Sequence, residues 1–177
     1  MKVLITGCAG FIGFSLIREL IKNKSYNIVG IDNLNNINGD LNLKKKRLSL
    51  IKKNIKFFNF SLEDKIKLKK LYKIYKFKNV VHLAAQPGVR LSIKKPMIYF
   101  NSNIKGYFNI LDLSREYKVA HLVYASSSSV YGNQKKFPIF ETQDTNNQES
   151  FYGLSKKIGE MMSSYYSKMY AMKITSL

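Results

Sequence analysis

The feature that most constrains this chain is a glycine-punctuated turn close to its start. Gly7-Cys8-Ala9-Gly10-Phe11-Ile12-Gly13 follows a short, β-branched apolar run, residues 2–6, and opens a segment whose apolar residues (Ile12, Leu16, Ile17, Leu20, Ile21) fall at helical spacing. A continuous apolar run suits a strand buried on both faces, and the second pattern suits a helix over 11–22. Gly7 permits a tight turn off the strand, Gly10 lets a pyrophosphate approach the backbone, and Gly13 allows close helix–strand packing. The helix start, with Phe11 and Ile12, then offers free N–H groups and a positive dipole end to phosphates. The spacing is GxxGxxG rather than GxGxxG, so the glycines alone are a weak signal.

Their weight comes from Asp32, nineteen positions after Gly13 at the end of a second expected strand, 27–31. Its carboxylate suits ribose hydroxyls and would repel a 2′-phosphate, which points to NAD rather than NADP. The plainer alternative is a solvated loop aspartate.

The rest of the chain alternates in the same way. A polar loop is expected over 32–43, a short helix over 44–52, a strand over 55–60, and a helix over 63–76 with Ser61 as candidate N-cap. A strand at 80–84, a long helix at 96–117, a strand at 122–126, a long helix at 151–170 and a last strand at 173–177 complete the pattern. This βαβα order predicts an α/β fold with a Rossmann-like, doubly wound parallel sheet. Its length of 177 residues is enough for one domain with a hydrophobic core, and 45% hydrophobic residues argue against disorder.

Charge is the other notable property: 30 Lys+Arg against 11 Asp+Glu give a net charge of +19. Nucleic-acid binding is one reading. The lysines, however, are scattered, arginines are few (Arg18, Arg47, Arg90, Arg115), and Asn and Ile are abundant. A compositional bias explains that pattern better, so no nucleic-acid partner is expected. No apolar stretch approaches membrane-spanning length, and the N-terminal apolar run is too short for a signal peptide. The single cysteine, Cys8, excludes an internal disulfide and agrees with a reducing, cytoplasmic compartment. A reactive thiol is the lesser reading of it. No metal site is expected.

Tyr152 and Lys156 stand four residues apart on an expected helix, on one face. The ammonium favours a phenolate, which would let Tyr152 take a proton from a sugar hydroxyl. Such a spacing arises easily by chance among 12 tyrosines and many lysines. Ser126 to Ser129 adds weight, because ligands in open α/β sheets bind beyond the carboxyl ends of strands. A serine-rich turn capping a strand is the alternative.

Taken together, the glycine loop, Asp32-Asn33-Leu34-Asn35, His82-Leu83-Ala84-Ala85-Gln86, Asn103, Ser126 to Gly132 and Tyr152 to Lys156 resemble the extended short-chain dehydrogenase/reductase family over the whole chain. Within it, His82 to Arg90, Ser102-Asn103-Ile104 and Tyr124 to Gly132 are similar to UDP-glucuronate 4-epimerases. The resemblance implies NAD as cofactor, held by Gly7, Gly10, Phe11, Ile12, Gly13, Asp32, Asn33, Asn35, Leu83, Ala84, Ala85, Gln86, Asn103 and Lys156. It implies chemistry by Tyr152, Lys156, Ser127 and Ser128, and a UDP-sugar substrate met by Ser127, Tyr152 and Arg90, although a solvent-facing Arg90 is an alternative. Family dehydratases carry an Asp-Glu pair after the position of Ser127. Here Ser128 and Ser129 stand there, which favours epimerisation.

Two departures stand out. Ser61 replaces an aspartate that in the family contacts adenine. Family members also continue into a substrate-binding domain beyond the strand where this chain stops. The expectation is therefore one NAD-binding domain, 1–177, with its C-terminal substrate domain missing. The function that the resemblance implies is NAD-dependent 4-epimerisation of UDP-glucuronate to UDP-galacturonate. An inactive NAD-binding fragment and an epimerase of another UDP-hexose remain as alternatives. The two long helices are the expected surfaces of a homodimer.

Overall fold

A computed structural model describes residues 1–37 and 39–177. Six strands, β1 (Lys2–Thr6), β2 (Asn27–Ile31), β3 (Lys56–Phe58), β4 (Asn79–His82), β5 (His121–Tyr124) and β6 (Ile174–Ser176), form one sheet in the order β3-β2-β1-β4-β5-β6. Every pairing is parallel, with Lys2 opposite Asn27 and Val3 opposite Asn79. The chain winds outward from β1 to β3, then returns to β4 on the other side of β1. The order therefore reverses between β1 and β4, and a crevice at the carboxyl ends of these strands is where such sheets take ligands.

The helices are α1 (Phe11–Leu20), α2 (Leu41–Ile51), α3 (Lys65–Tyr75), α4 (Val89–Lys94), α5 (Pro96–Tyr99), α6 (Gly106–Glu116) and α7 (Phe151–Tyr170). Successive strand residues point to opposite faces, and both faces are covered. Val3, Ile5 and Ile28 pack with Ile17, Leu48 and Ile51 from α1 and α2. Leu4, Val29 and Val80 pack with Leu68, Ile110 and Tyr166 from α3, α6 and α7. Each such fully buried aliphatic side chain contributes roughly 1.5–3 kcal/mol. Burial on both sides is why the strands read as continuous apolar runs rather than alternating ones.

β1, β2 and α7 have the bounds that the sequence predicts. Elsewhere local chemistry moves them. α2 starts at Leu41, earlier than expected, because the Asp40 carboxylate caps it by accepting from Asn42 N at 2.7 Å. Asp64, not Ser61, caps α3 by accepting from Lys67 N at 3.0 Å. Ser61 instead donates to Glu63 Oε1 at 3.0 Å. The expected helix over 96–117 contains a π-helical turn, Phe100–Lys105, between α5 and α6. The short helix α4 is not foreshadowed in the sequence. Among the described residues, no helix is long and apolar enough to cross a membrane, and no cluster of His, Cys, Asp and Glu is placed to hold a metal ion.

Candidate functional site

The glycine loop joins β1 to α1 at the head of the crevice. Gly7 has φ +70°, and a Cβ there would lie 2.8 Å from Ala84 N. A Cβ on Gly13 would lie 2.3 Å from Gly7 O, so the helix meets the turn main chain to main chain. α1 starts at Phe11 after Gly10, with no side chain capping its first N–H groups. That leaves these donors for an anion. The Phe11 and Ile12 side chains lie exposed, with the Arg47 guanidinium 5.7 Å from the Phe11 ring centroid.

Asp32 is buried beside this loop. Its Oδ2 accepts from Ala9 N at 3.1 Å and its Oδ1 from Leu34 N at 2.9 Å. Lys44 of α2 stands 3.9 Å from Oδ1 and donates to Asn35 O at 3.0 Å. A carboxylate has about four lone-pair positions, so room remains for ribose hydroxyls. The solvated-loop alternative does not describe this residue. Exposed Asn33 organises the turn by accepting from Asn35 Nδ2 at 2.9 Å. Cys8 is fully buried, and burial together with the Asp32 charge pushes its thiol far above the range in which thiolates form. The reactive-thiol reading has no support in that setting.

Across the crevice, Leu83, Ala84, Ala85 and Gln86 follow β4. Gln86 N donates to Asn103 Oδ1 at 2.7 Å, and Asn103 Nδ2 donates to Gln86 O at 3.0 Å and to Ser155 Oγ at 3.0 Å. Ser102 Oγ also donates to Asn103 Oδ1, at 2.8 Å. The buried Asn103 amide is thus fully engaged by protein, as a strut between the β4 loop and α7. It sits in the π-helical turn, a local distortion often found at functional sites.

Ser127 caps the short 3₁₀ turn Ser128–Tyr131, accepting from Ser129 N at 3.1 Å. With a lone pair so used, its hydroxyl proton is free to be donated outward. Ser128 is exposed. α7 begins directly against this turn, capped by Ser150, and a Cβ on Gly153 would lie 2.6 Å from Ser129 O. That close seat brings Tyr152 and Lys156 to the serine turn. Lys156 Nζ donates to Ala125 O at 2.9 Å and lies 6.0 Å from the Tyr152 ring centroid. Burial pushes the Lys156 ammonium down to about 8. His82, stacked on Tyr107 and bonded through Nδ1 to Thr6 Oγ1 at 2.9 Å, is held neutral, pushed down to about 3 by burial and then by Lys156.

The sequence reading missed three supports. Ser155 donates to Tyr152 O at 2.7 Å, Glu160 accepts from Ser126 Oγ at 2.6 Å, and Lys44 holds the turn after β2. Ser155 and Glu160 lie three and four residues from the Tyr152 and Lys156 positions, a helical spacing that offered a signal. Arg90 is exposed on α4, and no hydrogen bond or ion pair among the described residues ties it to the other candidates.

Residues 4–177 match the GDP-mannose 4,6 dehydratase family. The chain is 42% identical to protein CapI of Staphylococcus aureus, covering all of this chain and 53% of the relative. It is 37% identical to UDP-glucuronate 4-epimerase 4 of Arabidopsis thaliana, covering all of this chain and 40% of the relative. The crystal structure of UDP-glucuronic acid 4-epimerase from Bacillus cereus with UDP-glucuronic acid and NAD superposes with a TM-score of 0.90 at 33% identity, over 99% of this chain and 55% of that one. The chain spans about half the length of the curated relatives it matches, or somewhat less.

Proposed function

The chain belongs to the GDP-mannose 4,6 dehydratase family, and from its site we propose that it forms the NAD-binding half of a UDP-sugar 4-epimerase, with UDP-glucuronate as the sugar nucleotide. The observation that carries this reading is convergence: the glycine loop with Asp32, and the serine turn with Tyr152 and Lys156, meet at one carboxyl edge of the sheet.

The residues fit NAD. The Gly7–Gly13 cradle has main chain where side chains would block a pyrophosphate, and Asp32 retains acceptor capacity for a ribose. Asn35 meets Gln86 across the turns after β2 and β4, and Leu83 to Gln86, Asn33 and Asn35 are the residues proposed to line the cofactor's crevice, with Asn103 bracing the β4 loop. When bound, NAD supplies the hydride acceptor and donor that inversion at carbon 4 requires. The protein's part is proton handling and orientation. Tyr152 Oη takes the proton of the sugar 4-hydroxyl and returns it. Ser127 donates its free hydroxyl proton to the same oxygen, with Ser128 beside it. Lys156, with two N–H bonds left after Ala125, steadies the phenolate and the nicotinamide ribose. Arg90, exposed and cationic, is proposed to meet the anionic sugar nucleotide. Elimination of water, as in a dehydratase, needs an acid beside Ser127, and Ser128 and Ser129 supply none.

The supporting comparisons are relatives named for UDP-glucuronate 4-epimerisation and a neighbour solved with UDP-glucuronic acid and NAD. A pairing of two copies through the long helices also belongs to the proposal. Met97, Phe100 and Phe108 on one and Met161 and Tyr165 on the other are exposed apolar side chains, and sedimentation would test it.

The test is thermal melting with NAD and with NADP, followed by incubation with UDP-glucuronate and analysis for UDP-galacturonate. Stabilisation by NAD and formation of the 4-epimer are expected. No shift with either dinucleotide would leave an inactive fragment as the better reading. An epimer formed only from UDP-glucose or another UDP-hexose would reassign the sugar.

A further inference from the structure

One side of α2 turns Leu48 and Ile51 into the core against Ile17 of α1 and the strands. The other side carries two leucines in water. Leu43 and Leu50 are 44% and 68% exposed, and a spacing of seven residues puts them on one stripe. A 3₁₀ turn, Lys52–Asn54, continues the helix. Lys46 and Lys53 fall three residues after the two leucines, and Lys45 and Lys52 precede them by one position, toward the polar flank. All four lysines are exposed, and no ion pair among the described residues engages any of them. The outer side of α3 is built from similar residues, with Ile66 and Ile74 exposed. There, however, Lys65, Lys67 and Lys69 are paired with Asp112, Asp64 and Glu116. A bias toward lysine puts cations on every face. It does not explain why those around the leucines of α2 are left without counter-charge.

We propose that the outer side of α2 and its 3₁₀ extension is a peripheral docking surface for an anionic lipid leaflet. Leu43 and Leu50 enter the boundary between headgroups and acyl chains, and Lys45, Lys46, Lys52 and Lys53 meet the lipid phosphates. Charge complementarity selects this occupant, and the leucines narrow it. A nucleic-acid backbone would satisfy the lysines and offer the leucines nothing. A folded partner needs about 800 Å² on each side, far more than two leucines and four flexible lysines present. A leaflet supplies anions at its surface and an apolar phase directly beneath, and a helix lying in its plane reaches both. None of these six residues belongs to the candidate site, so the inference stands apart from the epimerase reading.

Co-sedimentation with vesicles tests it. The chain is expected to pellet with phosphatidylcholine vesicles holding roughly one-third phosphatidylserine at about 0.1 M salt, and to stay in solution with phosphatidylcholine alone. Lys46→Gln combined with Lys53→Gln should weaken binding roughly thirtyfold, since each lysine near such a surface is worth about fivefold. Leu50→Gln keeps the helix and every charge, and should cost roughly tenfold through the lost apolar contact. Lys70→Gln combined with Lys73→Gln removes the same charge from α3 and should cost no more than about threefold. All these positions are exposed, so melting temperatures close to that of the wild type are expected and show that each variant is folded. A wild-type chain that ignores the phosphatidylserine vesicles overturns the proposal. Equal losses from the α2 and α3 pairs also overturn it, because net charge alone would then explain the binding. Binding to random duplex DNA that falls in the α2 pair, with Leu50→Gln silent on vesicles, would make the surface a polyanion site and sink the lipid assignment.

Discussion

Around β1, α1 and β2 the site is made of main chain, and around β4, β5 and α7 it is made of side chains. In the first region the decisive features are a positive φ at Gly7, a main-chain contact between Gly7 and Gly13, and a carboxylate held by the N–H groups of Ala9 and Leu34. In the second, bonds tie residues far apart in sequence. Gln86 meets Asn103 at a separation of 17, Ala125 meets Lys156 at 31, Ser126 meets Glu160 at 34 and Asn103 meets Ser155 at 52. The contrast teaches that the surface proposed to hold the dinucleotide is fixed by conformation, whereas the surface proposed to react is pinned together from several elements. The first region should therefore fail by steric conflict and the second by loss of alignment or charge.

The largest effect is expected where the second region is proposed to do chemistry. Tyr152→Phe removes the phenolic oxygen and nothing from the glycine loop. Turnover of UDP-glucuronate should fall by roughly 10²–10⁴-fold, the usual worth of a positioned general base, while the NAD-induced melting shift persists. Loss of both together would mean that the two regions are not separable. Retained turnover would remove Tyr152 from its proposed role.

Lys156 sharpens the comparison through pH. Its ordinary value is 10.5 and burial lowers it to about 8 in the folded chain. Between about 8 and 10.5 the unfolded chain therefore holds a proton that the native chain has released. Stability contributed at this site rises with pH across that window, and the full penalty of burying the charge is present below it. Relative to Lys156→Met, the wild-type chain should gain on the order of 3 kcal/mol between pH 8 and 10.5, measured by denaturant unfolding of both proteins. A pH-independent gap between wild type and Lys156→Met would show that the ammonium is not buried as described.

Next in size is a steric break of the first region. Gly13→Ala places a Cβ 2.3 Å from Gly7 O, a main-chain atom that cannot swing aside. Overpacking of this kind costs about 1–3 kcal/mol, and the displaced turn should also abolish the NAD-induced melting shift. A variant that melts and binds NAD like the wild type would show that the turn yields freely, contrary to the rigid cradle.

The same contrast governs what could be read from the sequence. The main-chain region was legible because its requirements appear as residue types at fixed spacing: three glycines, then an acid at a strand end. β1 and β2 have their predicted bounds for the same reason, since burial on both faces leaves an unbroken apolar run. Tyr152 and Lys156 were legible because helical spacing joins them. Their supports were not. No local pattern says that Asn103 will lie against Ser155, that a π-helical turn will carry it, or that Lys44 will reach back to Asn35. Those contacts exist only once the sheet order is set. Ser61 and Asp64 show the limit at short range, because both fit a cap and only the geometry of the first turn chooses Asp64.

The smallest effect expected belongs to the grip of α7 on the end of β5. Lys156 holds the carbonyl of Ala125, and one helical turn later Glu160 accepts from the hydroxyl of Ser126 at 2.6 Å. Two consecutive residues are thereby fixed just before Ser127. A hydrogen bond to a charged acceptor is worth about 1.5–3 kcal/mol when buried, and partial exposure of this pair brings it nearer 1 kcal/mol. Ser126→Ala and Glu160→Gln separate the two sides of the bond. The glutamine keeps an oxygen that accepts from Ser126, so it should lose less stability than Ser126→Ala and retain nearly full turnover. Ser126→Ala should lose about 1 kcal/mol and several-fold in kcat with little change in KM, because Ser127 is left less well aligned while ligand contacts stay in place. The comparison predicts that neither variant alters the melting shift produced by NAD. A shift lost in Ser126→Ala would show that the alignment of β5 and α7 also supports the dinucleotide, and that the side-chain region does more than reaction geometry.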